Sequence, residues 1–136
     1  MYNDIICEHF MNPRNVGEMA EADYMVEIGN PICGDTVHMY LKVDGGTITD
    51  VRYRAYGCSG SIATASIISE KVVGQPMEKL TSVTRAEVEE WLGELEPAQM
   101  HCVDIGVSLL EQCASPSELP QVRNDYLVED EGVFDK

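Results

Sequence analysis

The sequence predicts an α+β fold, a small antiparallel sheet of about three strands packed against helices. Three observations predict it. From Thr36 to Val43, Val37, Met39, Leu41 and Val43 alternate with Thr36, His38, Tyr40 and Lys42, the period of a strand with one buried face. Asp44-Gly45-Gly46 then reads as a hairpin turn that returns the chain through Thr47 to Ala55. Beyond the sheet, stretches with helical periodicity carry their own start and stop signals.

In chain order, Tyr2 to Met11 has apolar residues at 2, 5, 6 and 10, a short amphipathic helix stopped by Asn12-Pro13. Cys7, inside this helix, is expected to be a buried and inert thiol, and His9 a surface or packing histidine. Arg14 to Gly17 is a turn. Tyr24 to Ile28 is a short strand leading into Gly29-Asn30-Pro31-Ile32-Cys33-Gly34-Asp35. That loop is a metal-loop candidate, because Gly34 lets the backbone bend so that Cys33 and Asp35 converge on one point. On the return strand Val51, Tyr53 and Ala55 share one face while Arg52 and Arg54 take the other, so the sheet has one wet face.

Tyr56 to Ser61 ends the sheet. A helix follows from about Ser61 to Val73, closed by Gly74, with Ile62, Ala65, Ser66, Ser69, Val72 and Val73 forming a face that can approach the sheet closely. Cys58 therefore precedes a helix N-terminus, where unpaired N–H groups favour a thiolate. Thr84-Arg85-Ala86-Glu87 is a capping box for a helix that buries Val88, Trp91, Leu92 and Leu95. After Glu96-Pro97 a last helix, from about Ala98 to Cys113, buries Met100, Ile105, Leu109 and Leu110 and carries His101-Cys102 in its first turn. Cys113 lies three turns on, roughly 16 Å from Cys102, too far to share a site, and is read as structural. Residues 1–114 form one domain on this reading. Residues 115–136, polar, proline-punctuated and acidic, read as a loosely ordered tail.

Composition narrows the function. With 24 acidic against 9 basic residues the chain carries a formal charge of −15, which argues against nucleic acid and favours a basic partner or a cationic metal. No apolar run is long enough to span a bilayer, and Met1 to Ile5 opens neither a secretory signal nor a transit peptide, so no membrane and a cytoplasmic setting are expected. Five cysteines, an odd number, in such a compartment point to metal or sulfur chemistry rather than a disulfide framework.

Cys33, Cys58 and Cys102 each fall in a turn or at a helix start, with Asp35 beside the first and His101 beside the last. Intervening stretches of 24 and 43 residues are too long for a zinc finger, so these ligands must come from separate elements of a folded domain. Three soft thiolates with one carboxylate or imidazole suit zinc or an iron–sulfur centre.

Cys33-Gly34-Asp35, Tyr56-Gly57-Cys58 with Ser61-Ile62-Ala63, and His101-Cys102, in this order, resemble the iron–sulfur cluster assembly scaffold family, IscU and the N-terminal domain of NifU. His9 to Gly17 resembles the same family, and together the matches span about residues 2 to 113. The resemblance implies a sandwich-like α+β domain with the three cysteines clustered at one end, near the surface. It implies a scaffold rather than an enzyme in the usual sense: sulfur comes from a cysteine desulfurase, iron and electrons are added, a transient 2Fe–2S cluster forms, and apo-proteins receive it. Cys33, Cys58 and Cys102 are then cluster ligands and persulfide acceptors. Asp35 and His101 are the two choices for fourth ligand, and the loaded form is a monomer or a cluster-linked homodimer. A zinc-dependent sulfur acceptor using the same residues is the alternative, with zinc held in the cluster-free form.

The resemblance has edges. Where bacterial IscU proteins carry the Leu-Pro-Pro-Val-Lys motif read by an Hsp70-type chaperone, this chain has Leu95-Glu96-Pro97-Ala98-Gln99, so that partnership is not carried over. The lack of an insertion between Cys58 and Cys102, and the presence of His101, separate it from the zinc-binding SufU type.

Overall fold

The computed structural model describes residues 2–30 and 35–116; Cys33, and the expected tail beyond Pro116, lie outside the described residues. Strands β1 (Tyr24–Asn30), β2 (Asp35–Asp44) and β3 (Thr47–Tyr56) form one antiparallel sheet in that order. Val26, Val37, Met39, Leu41, Val51 and Tyr53 are all buried on its inner face. On the other face His38, Tyr40 and Arg52 are half-buried and Arg54 is exposed, with ion pairs from His38 to Glu27 and from Arg54 to Glu18. The expected alternation holds, and the pairing slips only at Lys42/Val43, just before a turn whose Gly45 and Gly46 both take positive φ.

Helix α1 spans Asp4–Met11, α2 Ser59–Val72, α3 Arg85–Leu92 and α4 His101–Ala114. Helices α2 and α4 cover the inner face, and α3 packs mainly on α4; α2 is central, packing on α1, α4 and β3. Its burial is therefore nearly all round, from Gly60 and Ser61 through Ala63 to Ser69 and Val72, rather than confined to one small-residue face. Val73, expected inside, is instead the exposed C-cap, followed by Gly74 at φ +85.

Two corrections concern α1. The helix begins after Asn3, whose side chain accepts the Ile6 N–H at 2.9 Å, so Tyr2 precedes it rather than starting it. Only Ile6 is buried along the helix, and Cys7, the next residue around, is exposed. Ile6 fills the single inward position, and the chain turns Cys7 away.

The segment after α1 is pinned by serines buried in α2. Ser66 Oγ accepts the Arg14 N–H at 3.0 Å and lies 2.8 Å from His9 Nδ1, while Asn15 Nδ2 donates to Ser69 Oγ at 3.0 Å. Tyr53 N–H donates to the Asn15 carbonyl, and Gly17 N–H to the Tyr53 carbonyl. His9 is thus a packing histidine; burial, with Arg14 beside it, lowers its pKa. Thr84 and Glu87 form the expected capping box. A 3₁₀ turn, Pro97–Gln99, precedes α4; Gln99 is buried and its Oε1 accepts the Glu96 N–H at 3.0 Å. Cys113 is fully buried with its thiol 3.8 Å from Met39 Sδ, as a structural cysteine should be.

Candidate metal centre

Three junctions of the chain meet at one end of the sheet. Asp35 opens β2, Cys58 sits between β3 and α2, and His101 is the first residue of α4. Pairing of Thr36 with Tyr56 sets Asp35 opposite the residues that follow β3. Gly57 is needed there: its φ is +144, and a Cβ would run into the Asp35 carboxylate. With no side chain in the way, Asp35 Oδ1 accepts the Cys58 N–H at 3.3 Å.

One donor atom each from Asp35, Cys58 and His101 lies within 4.8 Å of the others. Cys58 Sγ is 3.5 Å from His101 Nε2, and His101 Nε2 is 3.8 Å from Asp35 Oδ2. Asp35 is nearly buried and His101 partly exposed, so the site opens on the histidine side. There it adjoins a cavity of about 190 Å³ between β1, β2 and α4, lined by Ile28, Val37, Asp104 and Ile105 beside Asp35 and His101.

Cys58 is the N-cap of α2, with extended backbone, and its sulfur faces His101 across the site. Burial pushes its thiol up, but Ser61 Oγ at 3.3 Å, His101 Nε2, the Ser61 amide and the Tyr2 phenol outweigh burial and bring it down to about 7. The same contact with Cys58 raises His101 against the effect of its own burial, and Asp35 adds to the rise. Without metal, thiolate on Cys58 and a proton on the imidazole favour one another. A bound cation would displace that proton.

Cys102 is different. Its thiol is fully buried, contrary to the near-surface position implied for it, because the first turn of α4 aims it at α2. Burial, followed by the charge of Cys58, pushes it up to about 11, while a Thr64 hydrogen bond pulls the other way. The described residues therefore bring together Asp35, Cys58 and His101, with Cys102 adjacent but turned inward.

Tyr2, Ser61, Thr64 and Gly60 escaped the reading of the sequence as site residues. Tyr2 OH is 3.8 Å from Cys58 Sγ; burial, then the contact with Cys58, pushes its pKa up to about 12. The signal for Tyr2 was present: Asn3 is a strong N-cap residue, which excludes the preceding residue from the helix.

A family model described as NifU-like N terminal domain matches residues 1–118. The chain belongs to the NifU-like N-terminal family. Among its relatives is the iron–sulfur cluster assembly scaffold protein IscU 1 of Archaeoglobus fulgidus, 39% identical over 112 residues, covering 82% of this chain and 73% of that protein. The scaffold protein IscU of Aquifex aeolicus is 38% identical over 111 residues, covering 80% and 71%. The fold agrees with that of a NifU-like N-terminal protein from Brucella abortus, with a TM-score of 0.58 at 23% identity over 82% of this chain and 79% of that one. No helix among the described residues is long and apolar enough to cross a membrane.

Proposed function

We propose that this chain is a scaffold on which an iron–sulfur cluster, of 2Fe–2S type, is built and from which it is handed on. The observation that carries the reading is the meeting of Asp35, Cys58 and His101 within 4.8 Å in a chain whose relatives are named as such scaffolds. On this reading Cys33, Cys58 and Cys102 supply thiolates. Asp35 and His101 compete for the remaining position, and zinc occupies the same donors when no cluster is present.

The chemistry follows from the donor set. A cysteine desulfurase presents a cysteine persulfide, and the Cys58 thiolate attacks its outer sulfur. A new S–S bond forms on Cys58, the donor's S–S bond breaks, the persulfide proton stays on the transferred outer sulfur, and the donor cysteine leaves as a thiolate. Reduction of each sulfane sulfur to sulfide needs two electrons, supplied partly by ferrous iron that becomes ferric and partly by excess thiol in solution, and the donor side chains would hold the iron as sulfide is added. A carboxylate or imidazole in the ligand set is protonatable and exchanges more readily than a thiolate, which suits a cluster that must leave for an apo-protein. The protein's part is to bind and release, not to turn over a substrate.

Anaerobic incubation with ferrous iron, cysteine and a cysteine desulfurase tests the reading. The expected product has the visible absorption of a 2Fe–2S centre, lost in Cys58→Ser. Sulfur uptake by a protein that stays colourless and keeps one zinc would overturn it in favour of a zinc-dependent sulfur acceptor.

A further inference from the structure

Cys102 is wholly buried, yet the proposed function asks it to bind iron and sulfur. Something must uncover it, and the atoms around it identify what. At Gly60, in the first turn of α2, an added Cβ would lie 2.7 Å from Cys102 Sγ and 2.9 Å from both Cε1 and the hydroxyl of Tyr2. The thiol and the phenol ring therefore crowd the same small space against the Gly60 backbone. The phenol also takes a hydrogen bond from the backbone at Gly60 and reaches Cys58 Sγ at 3.8 Å. Cys58, by contrast, is only half-buried.

We infer that the Tyr2 side chain is a removable cover over the Cys102 thiol, so that a sulfur donor meets Cys58 first and Cys102 only after Tyr2 withdraws. The helix side of the thiol is fixed: Gly60 is in the first turn of a central helix, and Thr64, also buried, bonds back to the Gly60 carbonyl at 2.7 Å. Tyr2 is held more lightly. It precedes α1 and its cap Asn3, so its ring can swing out without unwinding a helix or opening the core. Movement of one residue would expose a second thiol and free the α2 backbone that the phenol now occupies. The sulfur-loading order rests on the scaffold reading; the cover itself does not.

Native-state alkylation distinguishes the two. The metal-free, reduced protein is treated with iodoacetamide and each cysteine is followed by peptide mass spectrometry in wild type, Tyr2→Phe and Tyr2→Ala. Cys102 is expected to react at least about tenfold more slowly than Cys58 in wild type and in Tyr2→Phe, which keeps the ring. In Tyr2→Ala its rate should rise by about tenfold or more while Cys113 stays unreactive. An unchanged Cys102 rate in Tyr2→Ala, a Tyr2→Phe protein as fast as Tyr2→Ala, or Cys102 and Cys113 rising together would each overturn the cover. The assay contains neither iron nor a sulfur donor, so its outcome is independent of the scaffold reading. A second arm, exposure to a low-molecular-weight persulfide, should load Cys58 ahead of Cys102 in wild type and close that gap in Tyr2→Ala; equal loading in wild type would refute the order.

Discussion

Gly57 is where a single methyl group would cost the site most. Its φ of +144 disfavours any side chain, and a Cβ there would displace the Asp35 carboxylate from the Cys58 amide. Gly57→Ala should therefore weaken metal binding about tenfold to a hundredfold, the usual penalty for disturbing a ligand's support, as measured by competition with a chromophoric chelator. Wild-type affinity would show that Asp35 is not positioned this way. Asp35→Ala, which removes one of the two protonatable donors, should give a longer-lived cluster and slower transfer; release as fast as wild type would count against the carboxylate as the exchangeable ligand. Cys58 also predicts a pH dependence. Thiolate is the reactive form, so alkylation of Cys58 in the metal-free protein should rise with pH with its midpoint at about 7. In urea the midpoint should move up to about 8.5, the value of an unperturbed thiol, and Ser61→Ala should move it part of the way in the folded protein.

At the scale of elements, Asn3 ties two helices together. Its side chain caps α1 and donates to the carbonyls of Leu92 at 2.9 Å and Glu94 at 2.6 Å, where α3 ends. Asn3→Ala should cost about 1–2 kcal/mol in urea unfolding, the loss of a cap and of partners for two carbonyls. A change within a few tenths would mean water replaces these bonds. The elements themselves were legible where one local signal dominates: the alternation from Thr36 to Val43 and the Thr84–Glu87 capping box read directly. Tyr2 was misjudged because its apolar ring fitted the helical period while the capping preference of Asn3 competed with it. The all-round burial of α2 was hidden for another reason. In the sequence Ser66 and Ser69 read as small residues on the one face against the sheet, and only the tertiary structure shows them serving Arg14, His9 and Asn15.

For the whole molecule, a site assembled from the start of β2, the β3–α2 junction and the start of α4 makes metal binding a constraint on the folded state alone. Zinc at a hundred times its Kd should add about 2.7 kcal/mol and raise Tm by on the order of 10 °C, reversed by chelator. No shift would mean that the three donors do not act on one ion. Spacing in the sequence named Asp35, Cys58 and His101 but could not show that they converge, since 23 and 43 residues separate them in the chain. It also gave no sign that Cys102 faces inward, because a helix start fixes the position of a thiol and not its direction. The charge of −15 belongs to this scale too: partners should present a basic face, with association weakening as salt rises.

The most direct measurement of the central claim is cluster transfer. The anaerobically reconstituted protein is mixed with an apo-ferredoxin, and visible circular dichroism follows both proteins. The scaffold's signal should decay as that of the holo-ferredoxin grows in equal amount. A cluster that stays on this chain, cycling reversibly between redox states without loss, would contradict it and mark the protein as an electron carrier.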